Sequence, residues 1–442
     1  MEKTYMKEQN ILPLILKMSL PIIISMIINS LYNIVDSFFV SKVSESAMTA
    51  ISLIYPIQYL PNAFGIGFGV AIASLTGFYM GSGNKNNAEY SATKGVVVAL
   101  IHGIIIAIFS LIVAKPFLKL FTNDEDIIKY GLEYFYIVAL FSPCITISMA
   151  IEKILQSQGK MIRTMLAMVV GAIVNIVLDP LFIFTFDMGV KGAAIATGIS
   201  LVAGLIAYII VLLKSDLDVK LNFKVKGDKI VIKKLYTVGI SSSLNLALPS
   251  FMIIALNAIL SQYDSSYVLI LGVYYKLQTF LYFILSGMVQ GIRPLISYNE
   301  GAGLYKRVSK IVLYSLIIGI IVMIIGTILF LIIPDKLISI FSSNEDTINN
   351  GAKALRIISL GFVVSTFPYI ISGVFEALSK GLPSLIISII RYLFIILPAL
   401  LLSYYLKEIG VWLSFPITEI VAFITSIVLY FMLYIKKVNH EV

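Results

Sequence analysis

The chain has 442 residues, of which 59% are hydrophobic and only 13% charged, with a mean hydropathy of +0.96; average soluble domains carry about 25% charged residues, so a soluble globule is excluded. One cysteine, Cys144, and two histidines, His102 and His440, exclude a disulfide framework, a zinc cluster and Cys/His nucleophilic chemistry, which leaves carboxylates, amides and hydroxyls. The net charge of +9 does not point to nucleic acid, because no basic stripe with interleaved aromatics stands apart from the hydrophobic blocks, and basic residues on membrane proteins crowd the cytoplasmic loops.

About 20 apolar residues cross a bilayer as a helix, because only an internally hydrogen-bonded backbone is tolerated there. Twelve stretches qualify. The first, 11–40, has no short core followed by a small-residue cleavage site and reads as an uncleaved span. It carries Asp36, preceded by Asn29, Tyr32 and Asn33 at helical spacings that place all four on one face, toward a bundle interior or a water-filled cavity. The second, 47–80, holds Gln58 and the run Gly65-Ile-Gly67-Phe-Gly69, which lacks a preceding strand and reads as helix packing rather than a nucleotide loop. Spans at 92–113 and 127–151 follow. The fifth, 161–186, contains Asn175 and Asp179 four residues apart, an amide stacked on a carboxylate, and then Pro180, which cannot donate a backbone N–H. The sixth, 192–213, offers Thr197 from a Gly- and Ala-rich stretch suited to close helix approach.

Residues 214–234 are the only long polar segment, with seven lysines, and divide the chain into lobes at 1–213 and 235–442. Six further spans follow at 235–260, 267–297, 309–333, 352–378, 384–406 and 411–435. They contain the intramembrane cations Lys276 and Arg391, the polar Gln278 and the acids Glu376 and Glu419. Of the 33 Lys and Arg, 22 fall at the N-terminus, the even loops and the tail, against 9 at the odd loops, which places both termini in the cytoplasm.

An offset of 220 residues superimposes the halves: Tyr55 and Gln58 on Tyr275 and Gln278, Gly83 on Gly303, Phe121 and Glu125 on Phe341 and Glu345. A two-residue slip then sets Ser157 and Gly159 on Ser379 and Gly381. Six spans per half is an even number, so the repeats are parallel, as in transporters whose halves rock about a site near the midplane. The fold class expected is therefore an all-α integral membrane protein of twelve transmembrane helices in two pseudo-symmetric six-helix bundles. An enzyme would need reactive groups this chain scarcely has.

Asp36, Asn175, Asp179 and Thr197 supply an oxygen-rich set suited to a small hard cation such as Na⁺. The same two carboxylates can instead hold a proton, since like charges repel when close. In the second half Leu256 stands at the place of Asp36, so cation coupling is expected in the first half alone.

Three stretches, Leu31-Tyr-Asn-Ile-Val-Asp36-Ser-Phe-Phe-Val, Asn175-Ile-Val-Leu-Asp179-Pro180-Leu-Phe-Ile-Phe and Ser297-Tyr-Asn-Glu-Gly301-Ala, resemble signature segments of the multidrug and toxic compound extrusion (MATE) transporters. The resemblance spans essentially the whole chain. It implies two lobes in a V around a central cavity and export of amphipathic, often cationic drugs or toxins in exchange for Na⁺ or H⁺, with no cofactor. Asp36, Asn175, Asp179 and Thr197 match the cation site of the DinF-like branch. The acids on helices seven and ten of the NorM-like branch are not matched, apart from Glu376 near a helix end. Asn29, Tyr32, Asn33, Gln58, Gln278, Lys276 and Glu419 are expected to line the substrate cavity. The expected partners are small amphipathic molecules and the lipid bilayer, with a monomer in the cell membrane and no nucleic acid. The alternative is a lipid or lipid-linked oligosaccharide flippase of the same superfamily, which would need more cavity cations than Lys276 and Arg391 provide.

Overall fold

The computed structural model describes residues 5–435; His440, the C-terminal tail and the first four residues, on which the expected cytoplasmic termini rest, lie outside the described residues. The described chain is helical, without a strand. The first six spans are α1 (Ile11–Ser41), α2 (Glu45–Gly81), α3 (Lys85–Lys119), α4 (Glu125–Ala139 and Ser142–Ser157), α5 (Met161–Thr185) and α6 (Gly189–Lys214). The others are α7 (Lys229–Leu260), α8 (Ser265–Gly301), α9 (Tyr305–Ile332), α10 (Glu345–Ser359 and Phe362–Ala377), α11 (Gly381–Leu406) and α12 (Glu408–Tyr434). Ten of these pass singly as long apolar helices, and α4 and α10 are pairs bent by 46° and 53°, which gives the expected twelve.

Helix starts are fixed by side chains that accept from otherwise orphaned backbone N–H groups. Ser44 accepts from Ala47 N (3.0 Å), and 220 residues later Asp264 accepts from Ser266 N (2.7 Å). Asp124 accepts from Asp126 N (2.9 Å), and Asn344, 220 residues on, from Thr347 N (3.0 Å). The loop conformations repeat with the same period. Positive φ occurs at Gly83 and Gly303 (75° and 70°), Gly159 and Ser379 (75° and 57°), and Asp187 and Lys407 (52° each). The expected two-residue slip is therefore corrected: Ser379 occupies the left-handed turn position of Gly159, and the offset of 220 persists through it.

Two compact units divide the chain: Leu20–Ser243, and Leu244 onward with the segment up to Ser19. The boundary differs from the expected linker for a physical reason. The non-helical stretch is only 215–228, and it is strapped to the first unit. Gln158 donates to Val219 O (3.0 Å) and accepts from Val219 N (2.9 Å), while Asn222 N donates to Thr93 Oγ1 (2.9 Å). Lys229–Lys234 already belong to α7, whose Val231, Leu235 and Val238 are buried against α2 and α3.

In the first unit α2 packs closely on its neighbours at the glycine run. A Cβ on Gly67 would lie 2.1 Å from Ser243 Oγ, and one on Gly65 2.6 Å from Met149 Sδ, so helix packing is what these glycines serve. The core of the second unit gathers Tyr274, Phe330, Phe362, Trp412 and Phe415. Large apolar side chains also cover outer faces: Ile101, Ile104, Ile105, Ile108 and Ile112 on α3 are 45–69% exposed, a surface that a bilayer rather than water would solvate.

Candidate functional site

The first unit brings Asp36, Asn175, Asp179 and Thr197 together. The α5–α6 hairpin is tight because Gly192 faces the Phe182 backbone, where a Cβ would stand 2.6 Å from the carbonyl carbon. Pro180 has no N–H to give to the ladder, and the chain widens at once into a π-helical turn, Leu181–Thr185. Asp179 is fully buried and Asn175 is 2% exposed, and Asn175 Nδ2 donates to Asp179 Oδ1 at 3.2 Å. The carboxyl of Asp36, half-buried on α1, faces that of Asp179 within hydrogen-bonding reach.

What the site leaves open decides its chemistry. Asp36 Oδ1, Asn175 Oδ1, Asp179 Oδ2, Thr197 Oγ1 and Gln58 Oε1 are all buried and have no hydrogen-bond partner. Among the described residues no Lys or Arg forms an ion pair with either carboxylate. Two acids without a protein counter-charge in a membrane helix bundle call for a cation or a proton, since a bare charge at the bilayer centre costs about 2.5–3.5 kcal/mol or more. The unpartnered atoms are all oxygens, the donor type that hard cations prefer. Among the described residues no cluster of three His, Cys, Asp or Glu side chains offers a transition-metal site.

Tyr134 was not singled out by the sequence. It sits on the first segment of α4, 1% exposed, and its hydroxyl accepts from Gln58 Nε2 (3.2 Å) and lies beside Thr197 Oγ1 without closing a hydrogen bond. Tyr32 is half-buried and in electrostatic contact with Asp36 and Asp179, so it belongs to this site. Asn29 and Asn33 are exposed and bond to each other, Asn33 Nδ2 donating to Asn29 Oδ1 at 2.9 Å.

The second unit contains a cavity of about 370 Å³ walled largely by tyrosine and phenylalanine. Gln278 and Glu419 are among its lining residues; Lys276 is not, and instead is exposed with its ammonium 5.6 Å from the centre of the Phe341 ring. Arg391 projects from a π-helical turn in α11, Ile390–Phe394, and clamps Glu419 of α12. Its Nε donates to both carboxylate oxygens (3.2 and 3.1 Å) and its Nη2 to Oε1 (2.8 Å), while the guanidinium lies over Tyr369 and Tyr392 at 5.5 and 5.3 Å. A second buried pair joins Arg293 of α8 to Glu376 of α10, to which Asn245 Nδ2 also donates at 3.0 Å. Glu376 is thus committed to a cation of its own lobe.

Comparison with known proteins follows the same outline. The MatE family model matches residues 21–181 and 242–401, one match in each half. The multidrug export protein MepA of Staphylococcus aureus is 25% identical over 437 residues, covering 97% of this chain and 95% of that protein. Its counterpart in Staphylococcus haemolyticus is 26% identical over 432 residues, covering 96% and 95%. Among solved structures, a multidrug resistance MATE family transporter in an outward-facing conformation superimposes with a TM-score of 0.91 at 24% identity, over 100% of this chain and 98% of that one. A MATE structure in a bent conformation superimposes at 0.93, also at 24% identity, over 100% and 99%. At that identity the structural likeness speaks for the fold.

Proposed function

This chain belongs to the MatE family, whose members here are multidrug transporters and not enzymes, and from that premise we propose that it is a secondary antiporter exporting amphipathic, often cationic organic compounds in exchange for Na⁺ or H⁺. The observation that carries the coupling half of the proposal is the set of buried, unpartnered oxygens around Asp36 and Asp179, with no ion pair to a Lys or Arg among the described residues.

Asp36 and Asp179 would take the ion from outside, with Asn175 and Thr197 completing the oxygen shell and Tyr134 and Gln58 holding the shell's shape. Neutralising the carboxylates changes how α1 packs against α5 and lowers the affinity for the drug; inward reopening releases the ion. Coupling of this kind requires the ion to bind the two conformations unequally. The same proposal places the protein as a monomer in the cell membrane with both termini inside. A lipid flippase is the weaker reading, because Arg391 is neutralised by Glu419 and Lys276 is not among the residues walling the second-unit cavity, which leaves no free cation for a pyrophosphate among the described residues that wall it.

The test is efflux of ethidium from cells expressing the protein, with Na⁺ and pH gradients imposed separately. Gradient-driven efflux that disappears in Asp36→Asn and in Asp179→Asn is the expected result. Efflux unchanged by both substitutions would defeat the carboxylate mechanism.

A further inference from the structure

The second-unit cavity carries chemistry that ion coupling in the first unit leaves unused. We propose that it is a binding site for a compact aromatic zwitterion, an aromatic body whose carboxylate and ammonium lie a few ångströms apart, with the carboxylate on Arg391 and the ammonium on Glu419. The proposal deepens the export reading by naming a substrate class, and it is tested by equilibrium binding, which does not depend on transport.

The walls set the ligand's body. Tyr274, Tyr282, Phe362, Tyr369, Tyr392 and Phe415 present ring faces and edges around about 370 Å³, room for a one- or two-ring molecule.

The charges set its head group. Arg391 is 6% exposed and the Glu419 side chain 18%, and the two neutralise each other through three hydrogen bonds. A ligand with net charge of either sign, placed against a neutral pair in a low-dielectric pocket, leaves one charge uncompensated. A zwitterion with adjacent groups does not: four charges of alternating sign close on one another. Nor does the pair have an evident purely structural purpose, because replacing a buried ion pair by apolar residues of similar volume is often neutral or stabilising.

Two further features point into the same space. Tyr275 and Thr418 are among the residues that line the cavity, and their hydroxyl oxygens are buried without a hydrogen-bond partner, so a ligand's polar head that reached them would satisfy them. The guanidinium is delivered by a π-helical turn, an irregularity of helices frequent at functional sites.

The only tryptophan, Trp412, belongs to the same core cluster as the cavity residues Tyr274, Phe362 and Phe415 and serves as a local reporter. Purified full-length protein would be titrated with 4-nitrophenylalanine, whose nitro group quenches indole fluorescence. Its methyl ester (a cation), its N-acetyl form (an anion) and its N-acetyl methyl ester (neutral) would be titrated in parallel. The zwitterion is expected to bind at least tenfold more tightly than each of the other three. Glu419→Gln should turn the preference toward the N-acetyl acid and Arg391→Gln toward the methyl ester. Should either break the fold, the double variant Tyr275→Phe/Thr418→Val leaves the ion pair intact and should weaken the zwitterion severalfold. Wild-type binding of the ester or the neutral form as tightly as the zwitterion, or no saturable quenching, overturns the proposal. Saturable zwitterion binding without any ethidium efflux would instead count against the export reading alone.

Discussion

Replacing Thr197 with valine should stabilise the ion-free protein and weaken its hold on the ion. The two side chains are nearly isosteric, and Thr197 Oγ1 is buried without a hydrogen-bond partner. An unsatisfied buried hydroxyl costs about 1–3 kcal/mol, so its removal should recover about 1 kcal/mol after local relaxation. For a cooperative unit the size of one lobe, that corresponds to a rise of about 2–4 °C in melting temperature. With ion present the sign reverses. An ion at 100 times its dissociation constant stabilises the wild type by about 2.7 kcal/mol; a variant binding 30-fold more weakly gains only about 0.9 kcal/mol. Thermal unfolding in detergent, in NaCl against choline chloride and at low against high pH, reads both effects. A lower melting point for the variant in ion-free buffer, or an ion-induced shift equal to that of the wild type, would refute the assignment of this hydroxyl to the ion.

Glu376→Gln leaves Arg293 without its carboxylate in a buried setting and should cost about 3–5 kcal/mol, much of it recovered in Arg293→Gln/Glu376→Gln, as measured by thermal unfolding. Gly67→Ala puts a methyl 2.1 Å from Ser243 Oγ and 2.5 Å from Ser243 N, so about 1–3 kcal/mol of overpacking is expected; unchanged stability would show that α2 and α7 can separate freely. Gln158→Ala removes both hydrogen bonds that hold Val219, and tryptic cleavage at Lys220, Lys224 and Lys226 should accelerate several-fold while the helices stay intact; an unchanged digestion rate would contradict the strap.

Most of the fold is legible in the sequence, because apolar blocks of bilayer length have few other uses and the 220-residue period recurs in residues with fixed structural duties, such as Gly83 and Gly303 at left-handed turn positions. The linker's extent is not. Lys229, Lys233 and Lys234 read as a polar connection, but Val231 and Leu235, four residues apart, are buried on one face and pull the segment into α7. Asp36, Asn175, Asp179 and Thr197 stand out because polar side chains in apolar helices are costly there. Tyr134 does not, since one phenol among 51 Tyr and Phe carries no local signal. Arg391 and Glu419 are visible as intramembrane charges of opposite sign, but their pairing across α11 and α12 is a tertiary fact. The same holds for Arg293 and Glu376, which lie 83 residues apart.

Ion release on drug binding tests the coupling most directly. Ethidium would be added to purified, weakly buffered protein while a pH electrode and a sodium electrode record the solution and ethidium fluorescence records binding. If drug and ion exclude one another through Asp36 and Asp179, binding should release a proton or Na⁺, and the release should vanish in Asp36→Asn and Asp179→Asn. Ethidium binding that releases neither ion, or that releases the same amount from both variants as from the wild type, would contradict it.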